Sequence, residues 1–217
     1  MKRIFLFLIS NFFSPSIIWN FIRYNFFNKH IIRDRGVFVF IYSKSYIELS
    51  HGAKIVLHGD LIFNIPEMKY NHKPGYLYMG ESSVFEICNS CELLEGSDLQ
   101  IHSHGSFKVY NFHANIGFEL SCGNKIELHG KVTAGRHVRI KDYNGHEVSY
   151  EKYPFSSPII IEDNTWLCTG STVNPGVHIG SGSVISDNSN VVNDVESSSF
   201  VQGNPASVIR SNITFKI

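Results

Sequence analysis

The chain has 217 residues, 43% of them hydrophobic, with 19 basic and 19 acidic side chains and no formal net charge. That length suits one domain with a real core, and the neutral balance argues against a general nucleic-acid binder, which needs a basic surface. The four cysteines (Cys88, Cys91, Cys122 and Cys168) make one CxxC, "CNSC", without the second pair a zinc site would want, so free, partly buried thiols are expected.

Residues 1–45 stand apart. "MKRIFLFLISNFFSPSIIWNFIRYNFFNKHIIRDRG" is dense in Phe, Ile and Trp and carries Lys2, Arg3, Arg23, Lys29, Arg33 and Arg35 against Asp34 alone. Asn11, Ser14, Pro15 and Asn20 interrupt it before it reaches the ~20 apolar residues of a membrane span. No small-residue cleavage site follows cleanly, which weighs against a signal peptide. A helical, amphipathic segment is predicted. It packs on the rest of the protein or on a second subunit, or lies at a membrane interface through residues 1–35, with a true signal or anchor as the third alternative.

Helix periodicity is absent after about residue 35. "AKIVLHGDLIFN", "SSVFEI" and "SDLQIHSHGSFKV" alternate as strands do. From Ile116 a period of six emerges. Its first positions are Ile116, Cys122, Leu128, Ala134 and Ile140, and its fifth are Leu120, Ile126, Val132 and Val138.

The period is purest from Ile161. First positions are Ile161, Leu167, Val173, Ile179, Ile185 and Val191. Fourth positions are Asn164, Gly170, Gly176, Gly182, Asn188 and Asp194, residue types that best tolerate a left-handed backbone. Fifth positions are small or β-branched: Thr165, Ser171, Val177, Ser183, Ser189 and Val195. Each hexad reads as a short strand and a sharp corner, stacked on its neighbours as parallel strands ~4.8 Å apart around one apolar column.

The two runs are out of phase. Ile140 to Ile161 is 21 positions, which six does not divide. A loop near 147–157 must therefore leave the coil, and His146 stands where it leaves. Loops held on rigid scaffolds are where chemistry concentrates.

With these motifs in view, the chain resembles the hexapeptide-repeat acyltransferases. More narrowly, it is similar to the galactoside and maltose O-acetyltransferase branch and its relatives in bacterial surface-polysaccharide clusters. "NFHANIG", "IKDYNGHEV", "PIIIEDNTWLCTGSTVNPGVHIGSGSVI" and "GNPASVIR" carry the resemblance, over about residues 50 to 210. It implies an all-β fold, a left-handed parallel β-helix over 46–205, with 206–217 as a tail. It also implies a homotrimer, with acetyl-CoA between neighbouring subunits as co-substrate and no metal.

Residue by residue, the resemblance implies that His146 is the catalytic histidine and that Asn115 contacts the acceptor sugar. Trp166 would lie near the thioester, Thr169 and Asp187 along the CoA, and Val192, Asn193, Ser207 and Arg210 near its nucleotide end. Departures are visible. The family often has Thr-Lys at Val192-Asn193, Lys or Arg at Ser207, a small neutral residue at Asp187, and an acid at Asn144. Two phosphate-facing cations are thus replaced and one carboxylate is added.

The chemistry follows from the residue types. A sugar hydroxyl is a poor nucleophile until a base takes its proton, and imidazole can do so at neutral pH. His146 is the expected general base, with Asp142, Glu147 or a backbone carbonyl orienting it. The expected function is acetyl transfer to a sugar hydroxyl of a bacterial surface polysaccharide or its precursor. The enzyme would be cytoplasmic, and peripheral at the inner membrane if the N-terminal segment lies there. N-acetylation of an amino sugar and a non-catalytic scaffold are the alternatives. A metal-dependent β-helix of the gamma carbonic anhydrase kind is disfavoured, because no histidine lies four or five residues from His146.

Overall fold

The computed structural model describes residues 2–11, 14–67, 72–146 and 155–216. Two helices, α1 (Lys2–Ser10) and α2 (Pro15–Phe26), precede a coil of short parallel strands. The coil has three faces. Face one runs from Ile31–Arg33 through Lys54–Leu57 to Ile159–Ile161 and His178–Ile179. Face two runs from Val39–Ile41 through Asp60–Ile65 to Thr165–Leu167, Val184–Ile185 and Phe200–Gly203. Face three stacks Ser45–Leu49, Gly75–Met79, Asp98–Ile101, Glu119–Cys122, Arg139–Lys141, Thr172–Val173 and Asn190–Val191.

Three long strands, Val84–Leu94, Ser106–Ala114 and Lys125–Ala134, turn the corner from face one to face two without interruption. Their pairing slips register at the bend, between Ile87 and Ser90 and between Leu128 and Lys131. These parallel faces fit the left-handed β-helix that the resemblance implies.

The hexad positions do what their chemistry requires. Ile161, Leu167, Val173, Ile179, Ile185 and Val191 are all buried in one continuous core. Phe85 stacks on Phe107 with ring centroids 5.0 Å apart, and Phe112 and Phe118 continue the aromatic column. Fifth-position hydroxyls are buried too, and two of them donate to the carbonyl three residues back at the corner. Thr165 Oγ1 reaches Glu162 O at 2.7 Å and Ser171 Oγ reaches Cys168 O at 2.8 Å. The buried hydroxyl is thereby satisfied, and so is a corner carbonyl. Asn164, Gly170, Gly176, Gly182 and Asn188 have positive φ; Asp194 does not, and Ser198 takes that conformation instead.

Two boundaries differ from the expectation. The helical part of residues 1–45 ends at Phe26, and strands at Ile31–Arg33 and Val39–Ile41 already belong to the first coil. Short strands with wide spacing hid that coil from a six-residue count. At the other end, residues 206–210 are no loose tail. Ala206–Arg210 folds back antiparallel on Phe200–Gly203 after a cis Asn204–Pro205 bond. Ile213 then donates to Ser198 O at 2.9 Å, and the Phe215 ring lies 6.4 Å from that of Trp166.

Both helices pack on the outer side of face two. Phe7, Ile17, Phe21 and Phe40 form a second small core, with Phe38 and Ile62 against it. Asn25 locks α2 to the coil: its amide donates to Val39 O at 2.7 Å and its oxygen accepts from Val39 N at 2.9 Å.

Candidate functional site

The coil leaves its regular path between Lys141, at the end of face three, and Ile159, at the start of face one. The departure is a closed neck. Ser157 N donates to Asp142 O at 2.9 Å and Asn144 N to Phe155 O at 3.0 Å, with Tyr143 and Ser156 bridged antiparallel. The Tyr143 and Phe155 rings meet edge to face at 5.0 Å. Gly145 follows at φ +78°, a conformation glycine adopts without strain, and His146 comes next, exposed to solvent. Glu147 and the rest of 147–154 lie outside the described residues.

Asp142 is fully buried, and its carboxylate faces the coil beneath. Oδ1 accepts from Gly123 N at 2.6 Å, and Oδ2 accepts from Asn124 N at 3.0 Å. Burial raises this carboxyl above the ordinary carboxylate value, against the pull of the Gly123, Asn124 and Lys125 amides. Asp142 therefore caps the corner below the neck. The resemblance did not point to Gly123 and Tyr143, yet they complete the neck. A Cβ on Gly123 would come within 2.8 Å of the Tyr143 ring, so only glycine lets the ring settle there. The Tyr143 ring also lies 4.9 Å from that of His102. Beside the neck is a polar hollow of about 230 Å³, lined by Gln100, Glu119, Arg139, Lys141 and Tyr143 among others.

The remaining site residues fall at two corners, on the outer side of face two and on the C-terminal hairpin. Asn115, Thr169 and Asp187 follow face-two strands and stand at the corner where face three begins. Asn115 is half-buried and its side-chain oxygen accepts from Ile116 N at 2.7 Å. Thr169 and Asp187 are both exposed, one coil apart, and the intervening backbone is tied by Asn188 N to Thr169 O at 2.9 Å. Trp166 lies on the outer side of face two, in register with Thr133 and Val184, and is 42% exposed. Val192 and Asn193 instead stand at the far end of face three, the same corner as His146. Ser207 and Arg210 lie on the C-terminal hairpin, in register with Gln202 and Phe200.

Face three thus separates Asn115 from His146, and Thr169 and Asp187 from Val192 and Asn193. A strand of four residues spans about 13 Å, so one chain does not bring either set together.

Nucleophilic thiols are absent from this surface. Burial raises Cys91 and Cys122, and burial with Asp187 nearby pushes Cys168 up to about 11. The thiolate is the reactive form, so burial disfavours nucleophilic chemistry at these cysteines. Among the described residues no three His, Cys, Asp or Glu side chains are grouped to hold a metal ion.

No protein-family model matches the chain. Its curated relatives include a protein of Escherichia coli assigned as the colanic acid biosynthesis acetyltransferase WcaF. It is 31% identical over 113 residues, covering 48% of this chain and 62% of that one. The galactoside O-acetyltransferase of Escherichia coli is 32% identical over 104 residues, covering 46% of this chain and 51% of that one. The chain therefore spans less than two thirds of the length of either relative. Among solved structures, the polysialic acid-specific acetyltransferase NeuO shares the fold, with a TM-score of 0.50 at 18% identity over 88% of this chain and 90% of that one. The chain is thus similar in sequence to curated acetyltransferases over about half its length, and its three-faced coil is the fold of NeuO.

Proposed function

We propose that this protein is an acetyl-CoA-dependent O-acetyltransferase that modifies a sugar hydroxyl of a bacterial surface polysaccharide or its precursor, with His146 as general base. The observation that carries this reading is the neck. The coil is broken at the corner after Arg139–Lys141, pinned shut from below by Asp142, and the first residue beyond its glycine is an exposed histidine. Relatives assigned to colanic acid biosynthesis and to galactoside acetylation support the substrate class.

In the proposed reaction, His146 takes the proton of the acceptor hydroxyl as its oxygen bonds to the acetyl carbon. The carbon–sulfur bond breaks, and His146 returns the proton to the departing thiolate. Bound acetyl-CoA would supply the activated acyl group; Trp166, Thr169 and Asp187 would line it at one corner. Asn193, Ser207 and Arg210 would meet its nucleotide end, with Val192 beside them. Asn115 would hold the acceptor. Asp142 acts as a positioning residue, through the neck that carries His146. Holding both reactants in place supplies much of the rate.

The split between corners supports a homotrimer. In a closed ring the interface is heterologous, so one corner of each chain meets a different corner of the next. Set face-two/face-three corner against face-three/face-one corner, Asn115 joins His146. In the same docking, Thr169 and Asp187 join Val192 and Asn193.

The test is release of CoA from acetyl-CoA by the purified chain, across neutral sugars, amino sugars and surface polysaccharides. Acetylation of a hydroxyl-only acceptor is expected. Reaction confined to amino sugars would replace this reading with N-acetylation. No release, together with no thermal stabilisation by acetyl-CoA, would leave a scaffold, since a ligand of the folded state must stabilise it.

A further inference from the structure

The two N-terminal helices have more apolar surface than the coil covers. On α1, Phe7 is buried, with Ile4 and Leu8 packed beside it, while Phe5, Leu6 and Ile9 face solvent. On α2, Ile17, Phe21 and Tyr24 are buried, while Trp19, Ile22 and Phe26 face out at i, i+3 and i+7. Phe27 follows at 77% exposed. Spacing of that kind is one helical stripe. Each helix therefore has two apolar sides, and packing on Phe40 explains only one. Seven of the 16 large apolar side chains exposed among the described residues fall within Phe5–Phe27. Such clustering marks an interaction surface, where scattered exposure would not.

Charge decides what covers it. Residues 1–36 hold six basic side chains and one acidic one, so they carry +5. The whole chain is formally neutral, so the remainder carries −5. Lys2, Arg23 and Lys29 are exposed within or beside the apolar stripe. Arg3 is committed to Asp60, and Arg33 to the Phe38 ring at 4.7 Å. A second copy placed face to face on this surface would set +5 against +5, which electrostatic complementarity disfavours. An anionic bilayer attracts the basic rim and accepts Trp and Phe at its interface, while repelling the acidic coil. No helix among the described residues is long and apolar enough to cross a membrane.

We infer that α1 and α2 dock the protein on an anionic phospholipid surface, lying in its plane with Trp19, Ile22, Phe26 and Phe27 inserted and the coil held off the bilayer. The face that packs on Phe40 fixes the coil to this anchor. An acceptor carried on a lipid would then be met at the membrane surface.

The full chain should sediment with vesicles of equimolar phosphatidylcholine and phosphatidylglycerol, and only weakly with phosphatidylcholine alone. The Trp19→Ser/Phe27→Ser variant changes only exposed side chains, so it should keep the wild-type melting curve while binding about tenfold less. Arg23→Gln/Lys29→Gln should weaken binding to the anionic vesicles alone. In a Trp166→Phe background Trp19 is the sole tryptophan, and its emission should shift to the blue on anionic vesicles. Sedimentation with neither vesicle overturns the inference, as does equal binding to both that ignores the charge variant. Self-association abolished by Trp19→Ser/Phe27→Ser, without lipid binding, would make the surface a subunit contact and also overturn it. Acyl transfer to a soluble acceptor is expected to be unchanged in the Trp19→Ser/Phe27→Ser variant, so failure here is separable from failure of the proposed chemistry.

Discussion

Ile140 and Val173 are direct neighbours in one ladder, although 33 positions separate them. One coil later Val173 pairs with Val191, 18 positions on. The excess is the excursion that begins at Asp142 and carries His146. The coil closes beneath it without distortion, so chemistry at the excursion can vary while the core does not.

Asp142 gives a pH signature. Its carboxyl lies above the ordinary carboxylate value because it is buried. The folded chain then binds that proton more tightly than the unfolded chain does. This group favours folding below the ordinary carboxylate pKa, and the contribution is lost as pH rises through the raised value. Melting of the wild type and of Asp142→Asn from acid to neutral pH should show the wild type losing ground relative to the variant as pH rises. A gap that moves the other way would contradict the assignment. Asp142→Ala should cost about 1–3 kcal/mol for each amide left unpaired, at Gly123 and Asn124.

Assembly can be tested by mixing. Asn115→Ala and His146→Ala should each be nearly inactive alone. If a site takes Asn115 from one chain and His146 from the next, co-assembled chains should recover about a quarter of the wild-type turnover per site, by random pairing around a ring. No recovery in verified mixed assemblies would place both residues on one chain's site.

Gly135 supports from below the corner that holds Thr169. A Cβ there would lie 2.8 Å from Thr169 N, against backbone that cannot swing aside. Gly135→Ala should lower the melting temperature and weaken acetyl-CoA binding together. Thr169→Ala should affect binding alone. Both are read by thermal shift with and without acetyl-CoA.

Asp187 places a carboxylate where phosphates or a thioester would pass. It is exposed, so its effect is modest. Asp187→Asn should tighten acetyl-CoA binding by no more than about fivefold, with the gain shrinking at high salt. Weaker binding would mean that Asp187 holds the donor.

The repeat could be read directly from the chain because each hexad states its own structure. Ile161 and its successors had to be apolar to face the column, and Asn164 and its successors had to tolerate positive φ. The excursion was legible as a loss of phase. The first coil was not, because Ile31–Arg33 pairs with Lys54–Leu57 at a spacing of 24 and Lys54–Leu57 pairs with Val84–Ile87 at a spacing of 30. Which corner a residue occupies was also hidden. Asn115 and His146 look like partners in sequence, but the phase through each loop decides that face three lies between them. The commitment of Asp142 to the Gly123 and Asn124 amides could not be foreseen either, since a carboxylate four residues before a histidine suggests an orienting partner.

The most direct measurement is single-turnover acetyl transfer by His146→Ala beside the wild type, with acetyl-CoA binding followed on the same samples by thermal shift. A general base contributes about 10²–10⁴-fold, so turnover should fall by that order while the thermal shift and melting curve stay as in the wild type. Near-normal transfer by the variant would contradict the role given to His146.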